Sequence, residues 1–260
     1  AITVGATPCS WRLTDQNPCN VGSLAPTVGD VNRVSTLSTK GYQMVVLNGG
    51  NFGSTAELEG VSFGPSTGRQ VAMKLYASPN SIPKSSAGCA VLVPSFSIAC
   101  STTPGIAGPH MFVVTVRGQS SQPVAVGSIS YATPVLKSIA SRDAPNGELS
   151  TSGTQVVEIT GTEFGSQDDQ ATYRVVLTKG PSSSRPVSQC ADWKGDAKSC
   201  YEIPALKATE TGAGMERVTF NSPTSFGRKW NVRLIVSNSY TGQSTFVDSS
   251  DASTNADGAP

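Results

Sequence analysis

The feature that most restricts the fold of this chain is an approximate internal repeat. The stretch Val45-Val-Leu-Asn-Gly-Gly-Asn-Phe-Gly is matched by Val157-Glu-Ile-Thr-Gly-Thr-Glu-Phe-Gly, and the two Phe-Gly pairs lie 112 residues apart. A proline-led segment, starting at Pro26 or Pro134, precedes each stretch. A repeat of this length predicts that the 260 residues contain the same small module twice.

A second match lies further along each half of the chain. Val113-Val-Thr-Val-Arg-Gly-Gln-Ser is matched by Leu234-Ile-Val-Ser-Asn-Ser-Tyr-Thr-Gly-Gln-Ser, with an offset of 124 residues between the Gly-Gln pairs. A cysteine pair precedes this match in each half. The order of features is therefore kept, while the loops differ in length.

Short apolar runs between turn residues predict strands rather than helices. The chain contains 26 glycines and 17 prolines, and no run keeps a helical period of 3.6 residues. Many short strands separated by turn signals are typical of β-sandwiches. The predicted strands are 42–47, 71–76, 90–93, 111–116, 124–131, 156–160, 173–177, 217–220 and 230–236.

The six cysteines are arranged as three local pairs. Nine, ten and nine residues separate the partners, whereas zinc sites favour two to four residues between neighbouring thiolates and redox pairs favour two. Disulfides suit this spacing better, and they indicate an oxidising, extracellular compartment. The predicted pairs are Cys9 with Cys19, Cys89 with Cys100, and Cys190 with Cys200.

The segment between Cys89 and Cys100 predicts a disulfide-closed hairpin. Its sequence, Cys-Ala-Val-Leu-Val-Pro-Ser-Phe-Ser-Ile-Ala-Cys, is nearly symmetric about Pro94 and Ser95. In that register the two cysteines face each other across the strands, where a bridge can form. Pro-Ser is a poor choice for the primed turns of two-residue hairpins, so we expect a looser turn.

The first half of the chain resembles an IPT/TIG repeat. The resemblance depends on Gly50-Asn-Phe-Gly at the end of a strand, Thr103-Pro-Gly after the cysteine pair, Gly118-Gln-Ser, and Ser128-Ile-Ser-Tyr before a strand-leading proline. The second half departs from this pattern, because Cys200 is followed by Tyr-Glu-Ile-Pro and the Ser-Tyr-x-x-Pro ending is absent. The resemblance covers roughly residues 26–247.

The resemblance implies a fold and a range of functions. IPT/TIG repeats are early-set immunoglobulin-like sandwiches, so the expected fold is all-β, with two tandem sandwiches and local disulfides. Similar repeats act as rigid spacers and contact surfaces in plexins, in Met-like receptors and in large surface proteins of protists and algae. Others accompany Rel-type transcription factors or polysaccharide-active enzymes.

The repeat divides the chain into four parts. Residues 26–133 and 134–247 are expected to be the two repeats. Residues 1–25 are expected to be a disulfide-pinned leader or the remnant of a preceding repeat. Residues 248–260 are polar and acidic with no apolar period, so we expect a linker or disordered tail.

Residues suited to catalysis do not form a catalytic pattern. His110 is the single histidine, and no Gly-x-Ser-x-Gly elbow accompanies it. A glycosidase needs two carboxylates close together, and the repeat places the candidate glutamates in different modules or along one strand: Glu57, Glu59, Glu148, Glu158 and Glu163. We therefore expect no catalytic residue and no enzyme activity.

The aspartates do not match a calcium loop. Calcium sites need six to eight oxygens from converging loops, whereas the acidic clusters here are short and irregular: Asp168 with Asp169, and Asp248 with Asp251 and Asp257. We expect these side chains to be solvated. No metal site and no cofactor is predicted.

Two aromatic residues are candidates for ligand contact. Trp193 lies in a polar loop and Tyr201 follows the last cysteine, so either ring could stack on a sugar. The structural alternative is that the aromatics pack on the core or on their disulfide loops, and Trp230 is expected to begin a core strand.

Composition excludes several partner classes. Charged residues make up 14% of the chain, the net charge is +1, and no basic run is present, so a nucleic-acid partner is not expected. No apolar run reaches the 18 or more residues of a membrane span. The leading hypothesis is a non-catalytic extracellular spacer and adhesion segment that contacts proteins or itself through sandwich edges and loops. The alternative is a carbohydrate-binding accessory module of a surface or secreted polysaccharide-active protein, with glycans as partners.

Overall fold

β-Strands make up nearly all of the regular structure. The computed structural model describes residues 25–32, 36–65, 68–123, 128–142, 151–165, 171–179, 190–192, 200–211, 214–224, 230–238 and 242–249. Within these ranges the only helices are two single 3-10 turns, Pro79–Ser81 and Cys190–Asp192. The predictions for residues 1–24 with Cys9 and Cys19, for residues 250–260, and for Glu148, Asp168, Asp169 and Trp193 lie outside the described residues.

The first ten strands form one sandwich. One sheet has the order β1-β3-β7-β6, the opposite sheet has the order β5-β4-β8-β9, and β2 pairs in parallel with β10. We call this unit the first sandwich. Its strands are β1 Thr27–Asn32, β2 Thr36–Leu37, β3 Met44–Gly50, β4 Leu58–Pro65, β5 Val71–Met73, β6 Gly88–Val93, β7 Ser97–Ser101, β8 His110–Val116, β9 Gln119–Ser120 and β10 Ser130–Tyr131.

The remaining seven strands form the second sandwich. Hydrogen bonding connects them in the order β11-β12-β15-β14-β13-β16-β17. They are β11 Val135–Ser141, β12 Val156–Thr162, β13 Ala171–Lys179, β14 Cys200–Thr211, β15 Met215–Asn221, β16 Trp230–Asn238 and β17 Ser244–Asp248.

Strand β14 belongs to both sheets of the second sandwich. Its first half, through Ala205, pairs with β13, and its second half, from Leu206, pairs with β15. Pro204 lies beside this change of partner, where the missing N–H of a proline costs the ladder least. The chain therefore wraps around one core in the manner of an immunoglobulin-like sandwich.

Each sandwich encloses its own hydrophobic core. In both units, strands that line the core alternate buried with partly buried residues. In β12, for example, every second residue from Val157 onward is buried. The largest buried side chains include Phe52 and Phe63 in the first core, and Phe164, Leu177 and Leu234 in the second. Burial of these two sets explains why short strands suffice to hold each unit.

Backbone features recur in the two sandwiches at the repeat offset of 112 residues. Asn51 and Glu163 both have a φ of 61°, and each precedes a phenylalanine that is 0% exposed. A Cβ added to Gly49 or Gly161 would lie 1.9 or 2.1 Å from a carbonyl oxygen of the first strand of its own sandwich. Each first strand also carries a β-bulge near its second residue.

The match continues upstream of the motif. Leu-Ser-Thr-x-Gly-x-Gln occupies residues 37–43 and again residues 149–155. Gly41 and Gly153 both have positive φ, 71° and 77°. The next residues bond alike, since the Gln43 N–H donates to Thr102 Oγ1 at 3.3 Å and the Gln155 N–H donates to Ser222 Oγ at 3.2 Å.

The first disulfide closes the β6–β7 hairpin, which keeps the predicted register as far as Val91 opposite Ile98 and then shifts, so that Val93 lies opposite Ser97 beside the turn. Cys89 lies opposite Cys100, their Cα atoms are 4.1 Å apart, and their sulfurs are bonded. The turn is a tight one rather than the looser turn expected, because the Phe96 N–H donates to the Val93 carbonyl at 3.1 Å. Ser95 adopts a φ of 65° at the third position of this turn, which is the conformation a type II turn with proline before it requires.

The second disulfide lies at a different place in its sandwich. Cys190 bonds to Cys200 and fastens the segment before β14 to the first residue of that strand. It packs on the outer face of the sheet with Val176 and Ile235. The cysteine pairs therefore do not correspond between the two halves, although both precede the Gly-Gln match in sequence.

Two sequence boundaries are corrected by the strands. Asp248 was expected in a solvated tail, but it ends β17 and is 3% exposed. The predicted strand 124–131 is a strand only at Ser130 and Tyr131 among its described residues, where it pairs in parallel with β2. Ile129 makes a single bridge to His110.

Candidate functional site

A glutamate from the second sandwich binds a turn of the first. Glu163 Oε2 accepts hydrogen bonds from the Thr39 N–H at 2.7 Å and the Thr39 hydroxyl at 2.8 Å. The Ser38 hydroxyl lies 3.1 Å from both carboxylate oxygens. Thr39 is 0% exposed, so these charge-assisted bonds are sheltered from water. Ile106 of the first sandwich also packs beside Gly165 of the second. We call the contact formed by Ser38, Thr39, Ile106, Glu163 and Gly165 the joint.

The local backbone explains why Glu163 reaches across. Glu163 has positive φ and Gly165 has a φ of 89°, so the chain turns sharply on both sides of Phe164. The Phe164 ring is buried in the second core, and the backbone N–H of Phe164 donates a hydrogen bond to the Glu216 carboxylate. With Phe164 anchored inside, the preceding side chain is directed out of the sandwich.

An apolar contact supplements the polar one. Ile106 follows β7 in sequence, yet its side chain is 1% exposed and packs within the core of the second sandwich. A Cβ on Gly165 would come within 3.0 Å of the Ile106 Cγ2 atom. Glycine at this position therefore permits the close approach of the two units.

The start of the linker is fastened to the first sandwich. The Tyr131 hydroxyl donates to the Thr103 carbonyl at 2.6 Å, and its ring covers Gly105 so closely that a Cβ there would be 2.4 Å away. The Ala132 N–H donates to the Leu37 carbonyl at 2.6 Å. Only residues 132–134 separate β10 from β11, so little chain is left to act as a hinge.

His110 lies buried behind the joint. Its ring is stacked on Phe63 at 5.3 Å and meets the edge of Tyr131 at 5.0 Å. The Nε2 atom lies 3.1 Å from the Ile106 carbonyl, which can only accept, so the neutral ring carries its proton there. Burial lowers the pKa of His110 below the ordinary 6.5, and the bond to Ile106 opposes this in part.

Lowering the pH is expected to destabilise the first sandwich through His110. Below pH 6.5 the unfolded chain binds a proton that the buried ring refuses, so the stability present above that pH is lost as pH falls toward the lower folded pKa. The slope approaches about 1.4 kcal/mol per pH unit in this window. Urea unfolding between about pH 5 and pH 7 measures it.

His110→Gln provides the control for this pH dependence. Because His110 is the only histidine, the variant should be less stable at pH 7 but nearly flat across the same window. An equal slope in the variant and the native protein would assign the effect to carboxylates instead.

The outer face of strands β13 and β16 in the second sandwich is partly covered by the second disulfide. Val176 is 0% exposed and Ile235 is 6% exposed on this face, where they pack against the second disulfide. Beside them Arg174 pairs with Glu202 at 3.1 Å, and Glu202 also accepts the Cys190 N–H at 2.9 Å. A shallow depression of about 430 Å³ lies along this strip.

Tyr201, a predicted ligand contact, packs inward. Its ring lies 5.4 Å from the ring of Trp230 and contacts the second core. Its hydroxyl donates to the Thr224 carbonyl at 3.4 Å. Trp230 begins β16 and joins the same core, as expected for a core strand. Tyr201 is thus partly buried against this core, and Trp193, the other candidate for ligand contact, is not among the described residues.

Each candidate glutamate that the structure describes has a structural partner. Glu57 accepts bonds from Ser54 and pairs with Arg117; the bonds from Ser54 are the main cause of its lowered pKa, and Arg117 adds to it. Glu59 accepts the Gly118 N–H at 2.8 Å. The remaining two are also engaged: Glu158 pairs with Arg217 at 3.4 Å and Glu163 forms the joint.

The described residues contain neither a metal-binding cluster nor a membrane-spanning helix. No group of three or more histidine, cysteine, aspartate and glutamate side chains is arranged there to hold a metal ion. No helix in those ranges has the length and apolar character needed to cross a bilayer.

No sequence pattern indicated Ser38, Thr39 and Ile106 as functional residues. Their role depends on the approach of the two sandwiches, which no local pattern reports. The one available signal was the longer match between residues 37–53 and 149–165, which marks the Ser-Thr turn as part of the repeat.

Comparison with known proteins gives low similarity. No protein-family model matches the chain, and no curated protein matches it. Among solved structures, bovine butyrophilin has a TM-score of 0.28 at 11% identity over 84% of this chain and 96% of its own. The adhesin InvE of Yersinia pseudotuberculosis has a TM-score of 0.34 at 13% identity over 87% of this chain, which spans 58% of the adhesin.

Proposed function

We propose that the chain is a non-catalytic extracellular segment in which two tandem IPT/TIG-type repeats act as a rigid spacer and present adhesive surfaces. The observation that carries the proposal is the Glu163 carboxylate bound to Ser38 and Thr39. A bond set of this kind fixes the angle between two units. A pair of independent domains on a flexible linker would not need it.

The linker and the apolar contact support the same proposal. Ala132 is bonded to the first sandwich, Pro134 directly precedes β11, and Ile106 enters the second core. A proline restricts itself and the residue before it. Polar, apolar and covalent constraints therefore act together at one place.

The disulfides support the extracellular location. Two bridges, Cys89–Cys100 and Cys190–Cys200, are formed, and no cysteine among the described residues is free. Such bridges persist in oxidising compartments and are rare in the cytosol. The outer face beside Arg174 and Glu202 is a candidate contact surface on the second sandwich.

Glu163→Ala is expected to release the two sandwiches from a single orientation. The bonds to a charged carboxylate contribute about 2 kcal/mol, so the undocked population should rise about 30-fold. Residual dipolar couplings measure this directly. One alignment tensor should fit both sandwiches of the native chain, and two different tensors should be needed for the variant.

Glu158→Ala is the matched control for this experiment. Glu158 lies on β12, the strand that ends just before Glu163, but it pairs with Arg217 inside the second sandwich. One tensor should still fit this variant. Two tensors for the native chain, or one tensor for Glu163→Ala, would contradict the rigid-spacer proposal.

A further inference from the structure

The first sandwich exposes an apolar tip. At the β6–β7 turn Leu92 is 47% exposed, Val93 is 47% exposed and Phe96 is 66% exposed. The turn is held firmly, because the Ser95 N–H donates to the Gly53 carbonyl at 2.7 Å and the disulfide closes the hairpin behind it. Apolar side chains clustered on a rigid surface mark an interaction site more often than isolated ones do.

The tip lies at the end of the sandwich that carries Asn51. The Gly49 N–H donates to the Phe96 carbonyl at 2.9 Å, and the Phe52 N–H donates to the Ser95 carbonyl at 3.3 Å. Asn51 corresponds to Glu163, with the same φ and the same buried phenylalanine after it. In the second sandwich this end binds the first sandwich, whereas in the first sandwich Asn51 is exposed.

The opposite surface recurs as well. Thr39, which receives Glu163, lies in Leu-Ser-Thr-x-Gly-x-Gln, and Thr151 holds the same place in the second copy of that motif. The backbone after both turns is held by equivalent hydrogen bonds. The Tyr42 N–H donates to the Thr102 carbonyl at 2.8 Å, and the Thr154 N–H donates to the Ser222 carbonyl at 2.9 Å. Thr39 is fully covered, but Thr151 is exposed.

We propose that the Asn51 end of one chain binds the Thr151 end of a second copy, head to tail, with the geometry of the joint inside the chain. This rests on the proposed spacer function and names the surface through which the spacer extends. The Asn51 Oδ1 atom accepts from Thr151 as Glu163 accepts from Thr39. A neutral amide bonds more weakly than a carboxylate, and burial of Leu92, Val93 and Phe96 supplies the remaining affinity.

Such a contact is heterologous, so each open assembly has one unused Asn51 end and one unused Thr151 end. Two different surfaces meet, so the association does not close on itself unless the rotation happens to form a ring. The expected behaviour is a mass that rises continuously with concentration. A symmetric dimer would instead reach a plateau at twice the monomer mass.

Sedimentation velocity of the full chain tests the proposal. The weight-average mass of the native protein should rise with concentration, and Phe96→Ser should shift this rise to at least tenfold higher concentration. Phe96 is largely exposed, so the variant should still fold. Leu206→Ser is the matched control, because Leu206 is 75% exposed on the second sandwich, and it should associate like the native chain.

Mixing two cysteine variants tests the pairing of the ends. Asn51→Cys mixed with Thr151→Cys should give a disulfide-linked dimer containing one chain of each, identified by mass. Asn51→Cys mixed with Leu206→Cys should give at least tenfold less of the mixed dimer.

Several results would overturn the head-to-tail contact. The first is a native chain that stays monomeric, which would assign the tip to a different partner. The second is a Phe96→Ser chain that associates like the native chain. The third is equal cross-linking of Asn51→Cys to Thr151→Cys and to Leu206→Cys. A monomeric chain whose two sandwiches still share one alignment tensor would remove this inference alone. The spacer proposal is judged separately, by the alignment tensors of the native chain and of Glu163→Ala.

Discussion

Gly161→Ala is expected to destabilise the second sandwich by about 3 kcal/mol, and Gly49→Ala to destabilise the first by a similar amount. A Cβ on Gly161 would lie 2.1 Å from the Val135 carbonyl oxygen and 2.4 Å from the Phe164 Cζ atom. The carbonyl cannot move without disturbing the β11–β12 ladder. The phenylalanine ring is fully buried, so it has no space to move into.

The clash at Gly49 has the same origin. There a Cβ would lie 1.9 Å from the Thr27 carbonyl oxygen and 2.6 Å from the Phe52 Cζ atom. The motif thus requires glycine opposite its own phenylalanine. Glycine here is a matter of space beneath a ring rather than of backbone dihedral angles.

Tryptophan fluorescence during urea unfolding separates the two effects. Trp193 and Trp230 belong to the second half of the chain, and residues 26–133 contain no tryptophan. The remaining tryptophan is removed by Trp11→Phe in every protein that is measured, the native reference included. The fluorescence midpoint should therefore fall for Gly161→Ala and change little for Gly49→Ala. Far-ultraviolet circular dichroism, which reports both sandwiches, should detect an early transition in each variant.

Gly60→Ala is the control for a tolerated glycine substitution. A Cβ on Gly60 would meet only the Thr115 Cβ atom, at 4.0 Å, so the midpoint should stay close to the native value. If Gly49→Ala lowered the fluorescence midpoint as much as Gly161→Ala, the sandwiches would unfold as one unit. The description of two separately stable modules would then be wrong.

The features that could be predicted from sequence are those set by local spacing. The disulfide-closed hairpin followed from the symmetry of its segment about Pro94, and eight of the seventeen described strands, such as β3, β8 and β16, followed from short apolar runs. The repeated Phe-Gly motif identified Phe52 and Phe164, both of which prove to be core residues. These features depend on residues close in sequence or on burial of strongly apolar side chains.

The features that were missed depend on tertiary contacts. Strand β14 was not predicted because Pro204 interrupts its pattern, and only the change from one sheet to the other makes a proline acceptable there. The role of Glu163 could not be read from its turn, since its partner Thr39 is 124 residues away in sequence. The outer-face position of the second disulfide depends on the same three-dimensional packing.

The joint combines a feature that the sequence predicted, the Phe-Gly motif, with one that it did not, the contact of Glu163 with Thr39. Burial of Phe164, which the repeat identified, forces the turn that directs Glu163 outward. The corresponding turn in the first sandwich carries Asn51 and has no charge. A single motif thus sets the backbone, and the side chain at one variable position determines how strongly the next unit is held.

Asp248→Ala is expected to lower the stability of the second sandwich by about 3 to 4 kcal/mol. Arg233 and Asp248 lie opposite each other on β16 and β17, and the Arg233 Nε and Nη2 atoms donate to the two carboxylate oxygens at 2.6 and 2.8 Å. Their side chains are only 8% and 4% exposed. Removing the carboxylate leaves a guanidinium buried against the Phe246 ring, 4.0 Å from its centre.

A second variant separates loss of the pair from loss of the charge balance. Arg233→Met with Asp248→Leu removes both charges and should recover much of the stability, because the penalty comes mainly from an unpaired buried charge. Arg174→Met, on the same sheet but with its side chain 42% exposed, should cost less than about 1 kcal/mol. Tryptophan fluorescence in urea measures all three variants. An Asp248→Ala midpoint equal to the native one would mean that β17 ends before Asp248, as the sequence boundary at residue 247 had placed it.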